Sequence, residues 1–355
     1  MTMSFELPTV SIIVSAFNGI KDLPATIDSI LRQTYTNFEV LVFNHHYSRI
    51  ARWYRRSPDS RFKFFFLENQ GISQTCNQGI DQARGKYMAF VNAGDLWHRH
   101  KLQKQISCLE QNPEVGLVYS WIIPIAQEGR SRGKIIKQHS GRERLQINQQ
   151  NQALWLSAVV RRRCFDRVGL FDPNLKVIPH WDLCLRLNDR CQFVNLAEPL
   201  VYWRNREHLM ENWHQIETDL QIVIEKRFTE DTPWQQQLKC CSYANASLYL
   251  ADIVLRGRNR DSAIANNYCH QALQHYPLIG LSPKFMLLSL AIFTLRCLKS
   301  DRYSLLLSSL QTLSSWLRTI ASIVDKYAQS SLDWMLQEED WVILGKNRFR
   351  KQSKD

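Results

Sequence analysis

Four short runs rich in β-branched and aromatic residues occupy positions 10–14, 40–43, 62–66 and 87–91. Between the first two, Leu23, Ile27, Ile30 and Leu31 recur at helical spacing and form one apolar face, with Asp22 and Pro24 as helix-start signals. Between the last two, Cys76, Ile80 and Ala83 do the same, and a further helix carrying Leu102, Ile106 and Leu109 leads into a strand-like run at 117–121. Strand-like runs alternating with amphipathic helices are the pattern of βα units, so the expected fold class is α/β with a mostly parallel sheet.

From about Pro124 to Gln152 the periodicity fades into a Gly-, Arg- and Lys-containing and then Gln/Asn-rich stretch that reads as a long loop. Order returns at residues 154–160. A helix-period segment around Trp181, Leu183, Leu185 and Leu187 follows, then strand-like runs at 193–196 and 200–203. Beyond about Leu220 strand signals stop, and amphipathic helical segments continue to about Tyr327, interrupted by Pro233, Pro277 and Pro283. The pattern predicts three parts: an α/β domain over residues 1–222, an all-α domain over 223–330 and a basic tail over 331–355.

Charge narrows the partners without selecting one. A formal net charge of +12 favours an anionic partner, whether a nucleotide diphosphate, an acidic lipid surface or nucleic acid. The Arg161-Arg162-Arg163 triplet has no RNA- or DNA-binding motif beside it, and Arg161 and Arg162 are read as cleft-edge or solvated, so nucleic acid is not an expected partner. The nine cysteines show neither CxxC nor zinc spacing, and residues 1–9 lack a basic head followed by an apolar core; both point to a cytoplasmic protein with reduced thiols. The longest apolar run, residues 285–295 between Lys284 and Arg296, falls short of the roughly 20 residues of a spanning helix. With Trp316, Leu317 and Ile320 it reads either as helical packing or as a peripheral contact with the inner face of a membrane.

Four blocks in order carry a family resemblance across residues 8–215. The first is the run from Pro8 to Asn18 (PTVSIIVSAFN), followed by SILRQTY at 29–35 and NFEV at 37–40. The second is NQGIS at 69–73 with Asn77, Gly79, Gly85 and Tyr87; the third is AFVNAGDLW at 89–97 with Lys101 and Leu102. The fourth runs from VGLFD at 168–172 through WDLCLR at 181–186 to EPLVYWR at 198–204. Together they resemble the family 2 glycosyltransferases. That resemblance implies a GT-A fold and transfer of a sugar from a nucleotide-diphosphate sugar to a glycan or lipid-linked acceptor, as in cell-surface polysaccharide or glycoconjugate synthesis.

The resemblance also assigns positions, and several carry unexpected residues. Ala16 and Phe17 fall at the turn that touches the nucleotide. Asn44 stands where an acid contacts the base, followed by His45 and His46; it can still hydrogen-bond a uracil-like edge, or simply end a strand. Asn77 falls beside the nucleotide, with Cys76 in place of a common Arg. The Asp-x-Asp metal motif falls on Asn92, Ala93 and Gly94, leaving Asp95 as the one acid. It is either a weak ligand for Mg²⁺ or Mn²⁺ or the N-cap of the helix containing Lys101. His180 occupies the general-base position, where a neutral imidazole is competent, and Asp182 is a substitute one step further round the helix. Arg206 replaces a His near the metal, with His208 beyond it, and can pair with phosphate, as His98 or Lys101 can. Two functions follow: an inverting transferase that works without a tightly held metal, or an inactive pseudo-glycosyltransferase acting as a nucleotide- or glycan-binding scaffold.

Overall fold

The computed structural model describes residues 8–16, 21–44, 59–67, 71–125, 135–136, 150–204, 212–257 and 259–297. In chain order the first half gives β1 (Val10–Ser15), α1 (Leu23–Leu31), β2 (Phe38–Asn44), β3 (Phe62–Phe66), α2 (Ile72–Gln82) and β4 (Tyr87–Asn92). There follow β5 (Leu96–Trp97), α3 (Lys101–Gln111), β6 (Val115–Ile125), α4 (Gln150–Ser157), β7 (Val159–Arg161), α5 (Arg162–Val168), α6 (Pro179–Arg190) and β8 (Gln192–Arg204). The strands form one sheet in the order β3-β2-β1-β4-β7-β6-β8-β5. It is mostly parallel, as expected; β7 runs antiparallel to β4 and β6, and β5 antiparallel to β8.

The continuous apolar runs exist because both faces of the sheet are covered. Along β1, Val10, Ile12 and Val14 enter one core, packed beneath Leu23, Ile27 and Ile30 of α1 and Leu102, Ile106 and Leu109 of α3. Ile13 enters the opposite core with Leu41, Phe43, Met88 and Phe90, beneath Cys76 and Ile80 of α2 and Leu183, Cys184 and Leu187 of α6. The twofold strand period thus distributes one run between two cores.

After β8 the described residues are helical: α7 (Trp213–Arg227), α8 (Pro233–Arg256), α9 (Ser262–His275), a 3₁₀ turn (Pro277–Leu281) and α10 (Pro283–Cys297). They build a third core, to which α7 gives Ile216, Leu220 and Ile224. Helix α7 therefore runs through the 222/223 division read from the sequence. Ile178 and Trp181, at the start of α6, also belong to this core, and Trp181 packs on Tyr249 with ring centroids 5.1 Å apart. No helix among the described residues is long and apolar enough to cross a membrane.

Two sequence expectations change here, and one ordered run is resolved into its elements. The loop expected from Pro124 to Gln152 begins later, since β6 runs to Ile125 and Ile136 bridges to Ile122; residues 126–134 and 137–149 lie outside the described residues. The run at 154–160 is half helix and half strand. Arg161 is neither cleft-edge nor solvated. It is buried, donating through Nε to Val115 O (2.6 Å), through Nη1 to Tyr87 Oη (3.0 Å) and through Nη2 to Leu109 O and to Asn112 O (3.0 Å). It adds a second donor to the Leu109 and Asn112 carbonyls, which already accept from Asn112 N (3.3 Å) and Val115 N (3.1 Å) where α3 ends and β6 begins. Arg162 and Arg163 donate to Ala83 O and Pro113 O.

Candidate active site

The parallel strands β1, β2 and β4 end together. Ser15 is in register with both Phe43 and Asn92, so Ala16, Asn44 and Asn92 share one edge of the sheet. Strands β1 and β4 are neighbours, and the chain leaves β1 towards β2 on one side but leaves β4 towards β5 on the other, so the connections diverge between them. The crevice at such a switch point is where open α/β sheets bind ligands. Ala16 and Asn44 are buried and Asn92 is exposed. The Ala16 N–H donates to Phe43 O at 2.9 Å, and Asn44 O accepts from Leu67 N at 3.2 Å, which fixes both strand ends. Phe17, His45, His46, Asn69, Arg206 and His208 lie outside the described residues.

The turn between β4 and β5 is built differently from an acidic metal loop. Asp95 is not a helix cap: α3 starts at Lys101 with His100 before it. Instead Asp95, only 3% exposed, accepts the backbone N–H of Arg204 on Oδ1 at 2.9 Å, tying the end of β8 to the turn. The Arg204 guanidinium donates through Nε to Gly94 O at 3.2 Å, and its Nη1 lies 3.5 Å from Asp22 Oδ1. Gly94 has φ +105, a conformation that side chains rarely adopt, and its N–H donates to Thr26 Oγ1 at 2.7 Å. Hard divalent ions need several oxygens, preferably anionic. The turn offers an amide at 92, no side chain at 94 and a carboxylate at 95 already bonded to backbone, all beside a guanidinium. These residues do not fit a divalent metal site, and no group of three His, Cys, Asp or Glu that could hold one occurs among the described residues.

Lys101 is also placed otherwise than expected for a phosphate contact. It is fully buried, donating to Gln105 Oε1 at 2.7 Å with its ammonium 4.2 Å from the Trp97 ring centroid, and burial pushes its pKa down to about 7. Burial, reinforced by His100 and Lys104, also lowers the pKa of His98.

His180 is delivered by a segment tied down almost residue by residue. Arg186 donates to Val168 O (2.5 Å) and Leu170 O (2.8 Å) and pairs with Asp182 through Nε (2.9 Å) and Nη2 (2.6 Å). The Asn77 amide exchanges two 2.9 Å bonds with the Phe171 backbone, and Ser73 Oγ donates to Leu175 O at 2.7 Å. Asp219 of α7 then accepts the N–H groups of Lys176, Val177 and Ile178 on Oδ2 at 3.0, 2.7 and 3.0 Å. Asn77 and Asp182 therefore both serve as fasteners of the chain that leads to His180. Asp219 and Arg204 received no role from the sequence, because each acts on backbone groups far away along the chain.

His180 is half-buried as a residue, but its Nε2 is shut off from solvent and has no partner among the described residues. Burial pushes the imidazole down to about 3, so it stays neutral under all ordinary conditions. The unfolded chain, with an ordinary histidine near 6.5, takes up this proton first, so stability is lost as pH falls from about 6.5 towards 3. Urea unfolding is expected to show up to about 2 kcal/mol less stability at pH 5 than at pH 7 from this group. His180→Gln should flatten that slope, and equal slopes in the two proteins would rule out a buried neutral imidazole.

A switch point on a doubly covered, mostly parallel sheet defines an α/β protein whose ligand site is expected at the ends of β1 and β4. Residues 11–168 match the family model "Glycosyl transferase family 2". The chain carries a family 2 glycosyltransferase domain. An uncharacterized glycosyltransferase of Rickettsia typhi is 30% identical over 183 residues, covering 50% of this chain and 57% of the relative. The chain thus spans little more than half of that relative's length. Another relative, the UDP-Glc:alpha-D-GlcNAc-diphosphoundecaprenol beta-1,3-glucosyltransferase of Escherichia coli, is 35% identical over 105 residues, 29% of this chain and 42% of the relative. Among solved structures, S. aureus TarS 1-349 in complex with UDP-GlcNAc superposes with a TM-score of 0.54 at 15% identity, covering 77% of this chain and 91% of that one. That likeness supports the GT-A fold expected from the sequence.

Proposed function

We propose that the chain binds a nucleotide-diphosphate sugar across the ends of β1, β2 and β4 and transfers the sugar, with inversion, to a glycan or lipid-linked acceptor in cell-surface glycoconjugate synthesis. The observation that carries this reading is the shared edge formed by Ala16, Asn44 and Asn92 at the switch point. Ala16 and Phe17 would line the nucleotide, Asn44 would meet the edge of the base, and Arg206 would meet phosphate. In the transfer the acceptor oxygen bonds to the anomeric carbon as the bond to the diphosphate breaks, and the acceptor proton passes to His180 once its Nε2, shut off from solvent in this structure, is opened to the acceptor. A lipid-linked acceptor is suggested by the diphosphoundecaprenol substrate named for the E. coli relative.

The scaffold reading draws on one observation: Asn77, Asp95 and Asp182 are all engaged in bonds that hold the fold. Release of UDP or GDP from a panel of nucleotide sugars decides between the two. The expected result is release from at least one donor, with His180→Ala lowering kcat by about 10²- to 10⁴-fold. Nucleotide binding without release above background would establish the scaffold.

A lipid-linked acceptor also needs a route to the membrane. On α10 Leu288 and Ile292 are buried, while Met286, Leu290 and Phe293 are exposed beside Leu278 and Leu281 of the 3₁₀ turn. No Asp or Glu occurs in residues 262–300, which include Lys284, Arg296 and Lys299, so an anionic lipid surface is the complementary partner. Sedimentation with phosphatidylglycerol vesicles is expected and should fall in Leu281→Asp/Phe293→Asp; binding equal to wild type removes this contact. Trp316, Leu317 and Ile320 lie outside the described residues.

A further inference from the structure

The side chain that reaches the β4–β5 turn, where the acids are missing, comes from the other end of the α/β region. Arg204, the last residue of β8, engages three positions around this strand end: its N–H holds Asp95, its Nε meets Gly94 O, and its Nη1 faces Asp22. Its side chain is 9% exposed, against 35% for that of Asp22.

We infer that the positive charge offered to a diphosphate at this turn is the Arg204 guanidinium, and that nucleotide binding here does not depend on a divalent ion. The inference rests on the nucleotide-sugar reading above and extends it to how phosphate charge is met. Three features carry it. A guanidinium is permanently charged and presents donors in a fixed fork that suits phosphate oxygens. Its low exposure weakens screening by salt, and its bond to Gly94 O holds it in place before any ligand arrives. A divalent cation entering here would meet a like charge, whereas a diphosphate would meet an opposite one. Asp22 is the competitor. It flanks α1 without a side-chain capping bond, and its 3.5 Å contact with Arg204 is loose enough to be exchanged for a phosphate oxygen.

Calorimetry on the full chain with UDP and GDP, in EDTA and in Mn²⁺, tests this. The nucleotide that binds is expected to do so with equal affinity, within about twofold, in the two buffers. Arg204→Gln, which removes the charge, should weaken binding by about ten- to a hundredfold, and Arg204→Lys should recover part of the loss. Asp22→Asn should tighten binding by about two- to fivefold, because it frees the guanidinium from a partly exposed partner. Binding that appears only with Mn²⁺ overturns the inference, as does an Arg204→Gln protein that melts and binds like wild type. Should Arg204→Gln fail to fold, an unchanged or weakened affinity in Asp22→Asn overturns it on its own. No binding of either nucleotide in either buffer overturns the nucleotide-sugar reading, and this inference with it.

Discussion

Asp219→Ala is expected to cost on the order of 3–5 kcal/mol of stability, one of the two largest single-residue effects anticipated in this chain. The carboxylate is fully buried and accepts three consecutive backbone N–H groups, at residues 176, 177 and 178, while Oδ1 accepts Gln215 Nε2 at 3.0 Å. Removing it strips three amides of their acceptor at once, and a buried unpaired donor costs about 1–3 kcal/mol each before relaxation or water entry recovers part. Asp219→Asn keeps an acceptor oxygen but loses the charge, so a smaller loss is expected. Urea denaturation measures the stability. Hydrogen exchange localises it: the amides of 176–178 should lose protection in Asp219→Ala well before those of β1. A variant as stable as wild type, with protection at 176–178 intact, would mean that the nest is not what holds this turn. Since Pro179 and His180 follow directly, a loosened turn should also lower kcat more than it raises KM in any transfer reaction.

Arg161→Met should also be strongly damaging, at about 2–4 kcal/mol for the loss of several buried bonds to a charged donor. Its guanidinium is shared among the carbonyls of Leu109, Asn112 and Val115 and the Tyr87 hydroxyl, which itself donates to Glu110 Oε1 at 2.7 Å. A methionine fills the volume but removes four charge-assisted bonds, although Leu109 O and Asn112 O keep their backbone donors. Arg161→Lys should rescue little, because one ammonium cannot span a fork of four acceptors. Arg163→Ala, at an exposed position in the same triplet, should change stability by less than about 0.5 kcal/mol. Chemical unfolding of the three variants side by side gives the answer; equal losses at 161 and 163 would refute the distinction.

The triplet illustrates where sequence reading succeeds and where it stops. Three adjacent arginines look alike in sequence, and only the end of β7 against the end of α3 separates a buried fork from a surface charge. The strands themselves were legible, since the stretches Val10–Ser15, Val40–Phe43 and Tyr87–Val91 consist of apolar or small residues that can be buried between two layers of helices. Their common edge was legible too, because parallel register brings the residues after each run together. Residues 154–160 were ambiguous: Leu154, Trp155, Leu156, Val159 and Val160 suit a buried helix and a buried strand equally, and the chain uses both. The fasteners were illegible for a different reason. Asp95, Asn77 and Asp219 bind backbone groups, and a backbone N–H or C=O leaves no mark on the sequence of the segment that supplies it.

Helix α6 gives Leu183, Cys184 and Leu187 to the core under the sheet, while Trp181 and the preceding Ile178 go to the core among α7–α10. One rigid element is therefore common property of two hydrophobic interiors. Chimaeras that exchange the C-terminal helices between relatives would have to carry matched partners for Trp181 and Asp219, so recombination between β8 and α7 would yield a poorly seated α6 even when each parent folds well. The packing unit in this chain therefore extends beyond residues 11–168, which the family model matches.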